Sequence, residues 1–337
     1  MPSVFLIGAT GYLGGSLLVQ IRKHHPSWPI TALVRNPQCA PSIASTGATV
    51  VLPTADKDQQ AVIAEETYNA DITINAADCD DETLCQTMLG AMRKRKQDGK
   101  GKGVLLHTSG TMLFNDVSAG GKRVDGKYWN DNDETDMRNI SPGAMHGPVD
   151  TAILKAGEEG YVTNFTICPV NIVGPGTGPL KRPSQFIQLL VGFLLRYERP
   201  TYPGEGSSRY NYVHIDDLLD LYARVLDAIA SGSQTDASPY TRFYIADDHE
   251  IDTKTVTEIY GAELARLGLL SSSEAESVAV EKLDPSVGVL AHDVRVRGER
   301  GRKVLGWTTR GVDLSDTVVG DVEVALEVVR PSSQNVS

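Results

Sequence analysis

The sequence predicts an α/β fold in which helices cover both faces of a doubly wound parallel sheet, followed by a smaller C-terminal domain. Two observations predict it. Short, nearly continuous apolar runs alternate with helical patterns through the first half of the chain, which is typical of parallel sheets buried on both faces. A glycine-rich turn also follows the first of these runs, at the edge where doubly wound sheets bind ligands.

The elements follow one another in a regular order. Six apolar runs are predicted to be strands, at residues 4–7, 30–34, 48–52, 71–75, 104–108 and 165–168. Helices are predicted at residues 13–21, 58–68 and 81–96, where apolar residues recur at helical spacing or charges suit the helix dipole. Residues 114–147 are rich in Gly, Asp and Asn and are interpreted as a long loop, a candidate lid that carries Tyr128 and Trp129.

The second half of the chain is less regular. Helices are predicted at residues 184–195, 213–230 and 254–267, a strand at 243–246, and polar linkers at 231–238 and 271–279. Ser184, Gln185, Tyr202 and Arg209 are candidate substrate contacts, with Arg209 serving an anionic substrate.

Composition limits the classes of partner. Lys and Arg number 32 and Asp and Glu 43, a net charge of −11, which argues against binding to nucleic acid or to an anionic membrane. No apolar stretch reaches the roughly 20 residues that span a bilayer, and no charged segment precedes the first strand. The four cysteines show no CxxC spacing, so we expect no metal and reduced thiols. We therefore expect a cytoplasmic protein with a small-molecule partner, and a homodimer is the candidate assembly.

The strongest local signal is the turn formed by Gly8, Gly11 and Gly14 directly after the first strand. Gly8 allows a tight turn, Gly11 lets the backbone approach a pyrophosphate, and Gly14 allows the next helix to pack closely on the sheet. The N-terminus of that helix offers N–H groups and a partial positive charge to phosphates. The turn therefore predicts a dinucleotide site, which also includes Thr10, Tyr12 and Leu13.

The end of the second predicted strand bears on the choice of cofactor. An acidic residue there would accept a hydrogen bond from a ribose 2′-hydroxyl, whereas an arginine accommodates a 2′-phosphate. The strand ends in Arg35, and Asn36 follows it. The predicted cofactor is therefore NADP(H), because a guanidinium pairs well with phosphate; NAD(H) stays the alternative.

Several further segments support a family resemblance. They are Asn75-Ala-Ala77, His107-Thr-Ser-Gly110, Cys168-Pro-Val-Asn-Ile-Val-Gly-Pro-Gly176, Tyr210-Asn-Tyr-Val-His-Ile-Asp-Asp217 and the Leu-Gly-Trp within residues 302–307. With the glycine turn, they resemble the extended and atypical short-chain dehydrogenase/reductase superfamily, in its NAD-dependent epimerase/dehydratase and NmrA-like branch. The resemblance implies a Rossmann domain over residues 1–176, rejoined by 211–246, and a substrate domain built from 177–210 and 247–330. It also implies that cofactor contacts come from Asn75, Ala76, Ala77, Thr108, Pro169 and Val170.

The catalytic pattern of that superfamily is incomplete in this chain. The resemblance implies a Ser, assigned to Ser109, and a Tyr-x-x-x-Lys on one helix, but no such pair occurs between Ser109 and the sixth strand. Two substitutes have the i, i+4 spacing that places both side chains on one helix face. His146 and Asp150 are preferred because His146 lies 22 residues before Cys168, whereas in the alternative, Thr151 and Lys155, Thr151 lies only 17 residues before it. A His–Asp pair can act as an acid/base couple.

These residues support three hypotheses about function. The first is an NADP(H)-dependent oxidoreductase that reduces a carbonyl, imine or conjugated double bond of a small organic molecule, with Ser109 holding the heteroatom and His146 or water giving the proton. The second is an isomerase, lyase or cyclase that keeps its nucleotide and uses the His–Asp pair. The third is an NmrA-like redox-sensing binding protein without enzymatic activity.

Overall fold

A seven-stranded parallel sheet forms the centre of the computed structural model, which describes residues 1–234 and 236–329. In chain order its strands are β1 (Val4–Ile7), β2 (Ile30–Leu33), β3 (Thr49–Val51), β4 (Ile72–Asn75), β5 (Gly103–Thr108), β6 (Val162–Pro169) and β7 (Phe243–Ala246). Their order across the sheet is 7-6-5-4-1-2-3. Because the order reverses between β1 and β4, the carboxyl ends of these two strands border a crevice. The predicted doubly wound α/β fold is confirmed.

The side chains of β1 show why this strand is apolar throughout. Val4 and Leu6 belong to one hydrophobic core and Phe5 and Ile7 to another, and all four are buried. Successive side chains of a strand point to opposite faces of its sheet. The two cores therefore lie on opposite faces, as a doubly covered sheet requires.

Helices connect the strands and cover the sheet. In the described part of the chain the α-helices are Tyr12–His24, Ala40–Ala44, Gln59–Asn69, Glu82–Gln97, Glu134–Arg138, Gly147–Glu158, Gln185–Tyr197, Ile215–Ala230, Thr253–Arg266, Arg300–Leu305 and Leu314–Leu326. Aspartates set the starts of two of them. The carboxylate of Asp58 accepts a hydrogen bond from the N–H of Ala61, and that of Asp81 from the N–H of Leu84, each at 2.8 Å. Such caps satisfy N–H groups that have no partner within the helix.

A second group of elements has its own core. The helices Gln185–Tyr197, Thr253–Arg266 and Leu314–Leu326 contribute buried apolar side chains to it, Leu194, Tyr260 and Val322 among them. Short strands accompany these helices: Asn171–Val173, Arg209–His214 and His249–Asp252 form one sheet, and Thr201–Pro203 pairs with Glu276–Val278.

Two predicted irregular segments contain more structure than their composition indicated. The predicted linker 271–279 includes the strand Glu276–Val278. The predicted loop 114–147 contains a short helix and two short strands, Asn115–Asp116 and Trp129–Asn130, which pair with residues 293–294 and 296–297. These pairings join distant parts of the chain, and local composition does not reveal them. Residue 235, in the predicted linker 231–238, and residue 330, the predicted end of the substrate domain, lie outside the described residues.

Over the residues that the structure describes, no helix combines the length and the apolar character that crossing a bilayer requires.

Candidate active site

The glycine turn after β1 is closely packed against the end of β4. Gly8 has a φ of +97°, and a Cβ atom placed on it would lie 2.3 Å from the carbonyl oxygen of Ala76. A Cβ atom on Gly14 would lie 2.2 Å from the carbonyl oxygen of Gly8. Both contacts are shorter than atoms tolerate, so only glycine fits at these two positions. At Gly11 the carbonyl oxygen of Gly8 would lie 3.2 Å from such an atom, and no other atom of the described residues lies within 4 Å of it.

The helix that follows the turn begins without a side-chain cap. Its N-cap residue, Gly11, has no side chain with which to accept a hydrogen bond from the first turn, and no acidic residue lies in that turn. The N–H groups and positive end of a helix of 13 residues therefore face the turn uncompensated. This arrangement fits the diphosphate of a dinucleotide.

The other predicted residues of the turn differ in what they can contribute. The Tyr12 hydroxyl donates a hydrogen bond to the carbonyl oxygen of Gly174 at 2.7 Å, and its ring packs on Gly176. Leu13 is buried in the core, and Thr10 is half-buried. Tyr12 and Leu13 can therefore offer a ligand their backbone but not their side chains.

Arg35 lies two residues after the end of β2 with its side chain exposed to solvent. No carboxylate of the described residues forms an ion pair with it, and its neighbour Asn36 caps the turn at Pro37–Cys39. The guanidinium is thus available to an anionic group at this end of the crevice.

The end of β4 lies beside the glycine turn. The side-chain oxygen of Asn75 accepts a hydrogen bond from the N–H of Ala77 at 3.1 Å, and its amide nitrogen lies 3.3 Å from Nδ1 of His107 on β5. Ala76 contacts Gly8 through its carbonyl group. Asn75 and the two residues that follow β4 therefore lie beside the turn; their contact with a cofactor stays a prediction.

The predicted residues at the end of β5 point to opposite sides of the sheet. The Thr108 hydroxyl is hydrogen-bonded to the Tyr222 hydroxyl at 2.6 Å, whereas Ser109 donates a hydrogen bond to Oδ2 of Asp150 at 2.8 Å. Pro169 and Val170 lie at the end of the neighbouring strand β6, where both are buried.

Asp150 is a buried carboxyl in direct contact with Ser109. It is 1% exposed, and its Oδ1 atom has no hydrogen-bond partner among the described residues. Burial raises the pKa of Asp150 from 3.8 to about 7, although the hydrogen bond from Ser109 lowers it and the charge of Asp80 raises it further. The carboxyl can therefore lose or gain a proton near neutral pH.

His146 precedes the helix Gly147–Glu158 in a left-handed backbone conformation, with a φ of +67°. Its Nδ1 atom lies 2.7 Å from Oδ1 of Asp80 and 3.3 Å from the sulfur of Cys79. Its Nε2 atom packs against Gly110, where a Cβ atom would be only 2.9 Å away.

The pairing of these residues differs from the prediction in one respect. His146 and Asp150 both lie next to the Ser109–Gly110 segment, but the carboxylate that contacts the imidazole is that of Asp80. Asp150 is hydrogen-bonded to Ser109 instead. Asp150 lies inside the helix Gly147–Glu158, whereas His146 precedes that helix. In the alternative pair, Lys155 is exposed to solvent and the Thr151 hydroxyl donates a hydrogen bond to the carbonyl oxygen of Gly147. Neither side chain is hydrogen-bonded to Ser109.

Sequence reasoning missed three residues of this cluster. Cys79 and Asp80 follow the carboxyl end of β4, within a run of three aspartates at 78, 80 and 81 that could have drawn attention to them. His107 is fully buried beside Asn75, and burial lowers its pKa to about 3, so its imidazole stays neutral. No sequence signal distinguishes this histidine from a core residue.

Of the candidate substrate contacts, Arg209 is the most informative. Its guanidinium is buried and lies 2.5 Å from Oδ2 of Asp293, while its backbone N–H donates to the same carboxylate. Arg209 is therefore already neutralised. Ser184 is buried at the start of a helix, while Gln185 is exposed and Tyr202 half-buried.

Known proteins resemble this chain over most of its length. The family model described as "NAD dependent epimerase/dehydratase family" matches residues 4–238. A curated relative, "Oxidase ucsJ" of Acremonium sp, is 25% identical over 342 residues, which cover 96% of both chains.

Solved structures share the fold. A dTDP-glucose 4,6-dehydratase from Streptomyces venezuelae, with NAD bound, superposes with a TM-score of 0.65 at 18% identity, over 97% of this chain and 98% of that one. A UDP-glucose 4-epimerase from Thermotoga maritima gives 0.63 at 11% identity, over 96% and 99%.

Proposed function

The chain belongs to the NAD dependent epimerase/dehydratase family, and we propose that within it the protein is an NADP(H)-dependent oxidoreductase of the extended short-chain type. Its substrate is a small organic molecule, in which it reduces a carbonyl, an imine or a conjugated double bond. The observation that carries the proposal is the cluster at the ends of β4 and β5. There a serine hydroxyl and an imidazole each contact their own carboxyl group, at the same edge of the sheet as the glycine turn.

The residues around the crevice fit a nicotinamide dinucleotide. The uncapped helix fits its diphosphate, and the solvent-exposed guanidinium of Arg35 supports a 2′-phosphate and hence NADP(H) over NAD(H). When bound, the nicotinamide ring supplies or accepts the hydride. We assign Asp150 to the position of the superfamily's lysine, and a carboxyl group cannot provide the positive charge of that lysine.

Ser109 can serve a substrate in two ways, according to the proton on Asp150. When Asp150 is ionised, the Ser109 hydroxyl donates to it, and the serine oxygen can accept a hydrogen bond from a substrate hydroxyl. When Asp150 is protonated, it can donate to the serine oxygen, and the serine proton can then polarise a carbonyl. Since the pKa of Asp150 is raised to about 7, both states are populated near neutral pH.

The remaining step is proton delivery, which we assign to His146. Its imidazole lies against Gly110, the residue after Ser109, and its Nδ1 atom lies 2.7 Å from the carboxylate of Asp80. The neutralisation of Arg209 by Asp293 supports a substrate without a phosphate or diphosphate. The name of the curated relative, an oxidase, supports redox chemistry.

The test is loss of the absorbance of NADPH when the purified protein is offered a panel of ketones, aldehydes, imines and enones. We expect turnover with at least one class, and we expect His146→Ala to slow it roughly 10²- to 10⁴-fold. His24→Ala, which removes an exposed imidazole on another helix, is the matched control. Unchanged turnover in His146→Ala would remove His146 from the mechanism, and no turnover across the panel would contradict the redox function.

One observation favours a second function, an isomerase, lyase or cyclase that keeps its nucleotide. Ser109 and His146 each have their own carboxyl partner. The site therefore holds two groups that could move protons to and from a substrate in a reaction with no net hydride transfer. Formation of a product with no loss of NADPH absorbance would favour this function over the first.

A further inference from the structure

The Nδ1 atom of His146 has two close neighbours, which differ in the hydrogen bonds that they can form with it. The Asp80 carboxylate, 2.7 Å away, can only accept a hydrogen bond. The Cys79 sulfur, 3.3 Å away, could accept one or donate its own proton. Burial raises the pKa of Cys79 to about 12, so this group is a thiol at neutral pH.

The carboxylate decides between the two arrangements. If Cys79 donated to a bare Nδ1, the nitrogen lone pair would face the Asp80 oxygen at 2.7 Å with no proton between them, which is repulsive. If Nδ1 carries the proton, it donates to Asp80 at a distance normal for such a bond, and the thiol beside it need not donate. The geometry therefore requires a proton on Nδ1.

This choice leaves Nε2 as the atom that exchanges a proton. Nε2 lies against Gly110, next to Ser109. Two features of the backbone accompany this position of Nε2. His146 has a left-handed backbone conformation that residues other than glycine rarely adopt, and Gly110 has no Cβ atom. Both are expected where the surroundings fix one orientation of the ring.

We propose that Asp80 is a positioning residue that holds His146 in the Nδ1–H tautomer and orients Nε2 toward the substrate held by Ser109. This inference rests on the proposed function, because it assigns Nε2 of the doubly protonated ring as the proton donor; once that proton has passed to the substrate, the neutral Nδ1–H tautomer remains. Asp80 is half-exposed, so its charge is screened by water, and its main contribution is the direction of the hydrogen bond. Among the described residues, Cys79 and the neutral His107 also interact with the ring, and Asp150 lies near Cys79 and Asp80.

The direct test is nitrogen NMR of the protein labelled with ¹⁵N in its histidines, with the His146 signals assigned by loss in His146→Gln. Above the pH at which the ring becomes neutral, we expect Nδ1 to carry the proton and Nε2 to be bare. In Asp80→Asn the side-chain amide can present either its oxygen or its NH₂ group to Nδ1, so we expect a mixture of tautomers. Asp78→Asn is the matched control, since Asp78 is exposed and the new amide oxygen can still accept the N–H of residue 80.

Kinetics supply the second readout. Asp80→Asn should lower kcat by roughly 10- to 100-fold, less than the loss expected for a general acid. The KM for NADPH should stay within about twofold, since among the described residues the Asp80 side chain is paired with His146. Asp80→Glu, which keeps the carboxylate, should recover part of kcat. Asp78→Asn should leave both constants unchanged.

The outcomes separate this inference from the proposed function. A bare Nδ1 in the wild-type protein, or an unchanged kcat in Asp80→Asn, would overturn the role of Asp80. The expected tautomer, together with no turnover on any NADPH-dependent substrate, would contradict the redox function but leave Asp80 as the group that orients His146.

Discussion

Replacing Asp150 by Asn should stabilise the protein at alkaline pH and leave it nearly unchanged at acidic pH. Asp150 is 1% exposed, and Asn can keep a hydrogen bond with Ser109. The variant removes the ionisable group, and with it the cost of placing a negative charge in a buried site.

The sign and size of the effect follow from the raised pKa of Asp150. Because the pKa of this group is higher in the folded than in the unfolded chain, its stabilising contribution is complete below the unfolded value and is lost as the pH rises through the folded value. Here those values are 3.8 and about 7. Each pH unit between them costs the wild type about 1.4 kcal/mol, so the stability of Asp150→Asn relative to the wild type should rise by about 3 to 4 kcal/mol from about pH 4 to about pH 8 and then level off.

The assay is denaturant unfolding of both proteins across this pH range, followed by circular dichroism. The other buried carboxyl groups with a raised pKa, Asp131 and Asp321, are present in both proteins and cancel in the difference. The exposed Asp78→Asn should keep the wild-type dependence on pH. A difference between Asp150→Asn and wild type that stays constant within about 1 kcal/mol over the range would refute the reasoning.

Three substitutions test the remaining parts of the site. Gly14→Ala would place a Cβ atom 2.2 Å from the carbonyl oxygen of Gly8. We expect calorimetry to show no binding of NADPH, and the unfolding free energy to fall by about 1–3 kcal/mol. Unaltered NADPH binding would contradict the close packing at Gly14. Arg35→Ser should weaken NADPH binding by roughly 10- to 100-fold without affecting NADH; an equal effect on both cofactors would argue against contact with a 2′-phosphate. Gly110→Ala should displace the imidazole of His146 and lower kcat at constant NADPH affinity, and wild-type kcat would contradict the position of Nε2.

The fold was predictable from the sequence because its signals are local. The apolar runs of β1 and β4 and the aspartates at positions 58 and 81 each lie within a few residues of the element that they define. The i, i+4 spacing of His146 and Asp150 is likewise local, and the structure has the first directly before and the second within the helix Gly147–Glu158; their catalytic role stays a prediction.

The pairing within the site was not predictable in the same way. Asp80 and His146 are 66 residues apart in the chain, and they meet only because β4 ends beside the start of the helix Gly147–Glu158. The ion pair of Arg209 likewise depends on Asp293, 84 residues away. Contacts of this kind follow from the folded arrangement and leave no periodic pattern in the sequence.

The measurement that bears most directly on this account is titration calorimetry of the wild-type protein with NADPH and, separately, with NADH. We expect both coenzymes to release or absorb heat at a single site, and NADPH to bind more tightly because of Arg35. Binding of neither coenzyme would contradict the account, since every proposed step takes place beside a dinucleotide held at the glycine turn.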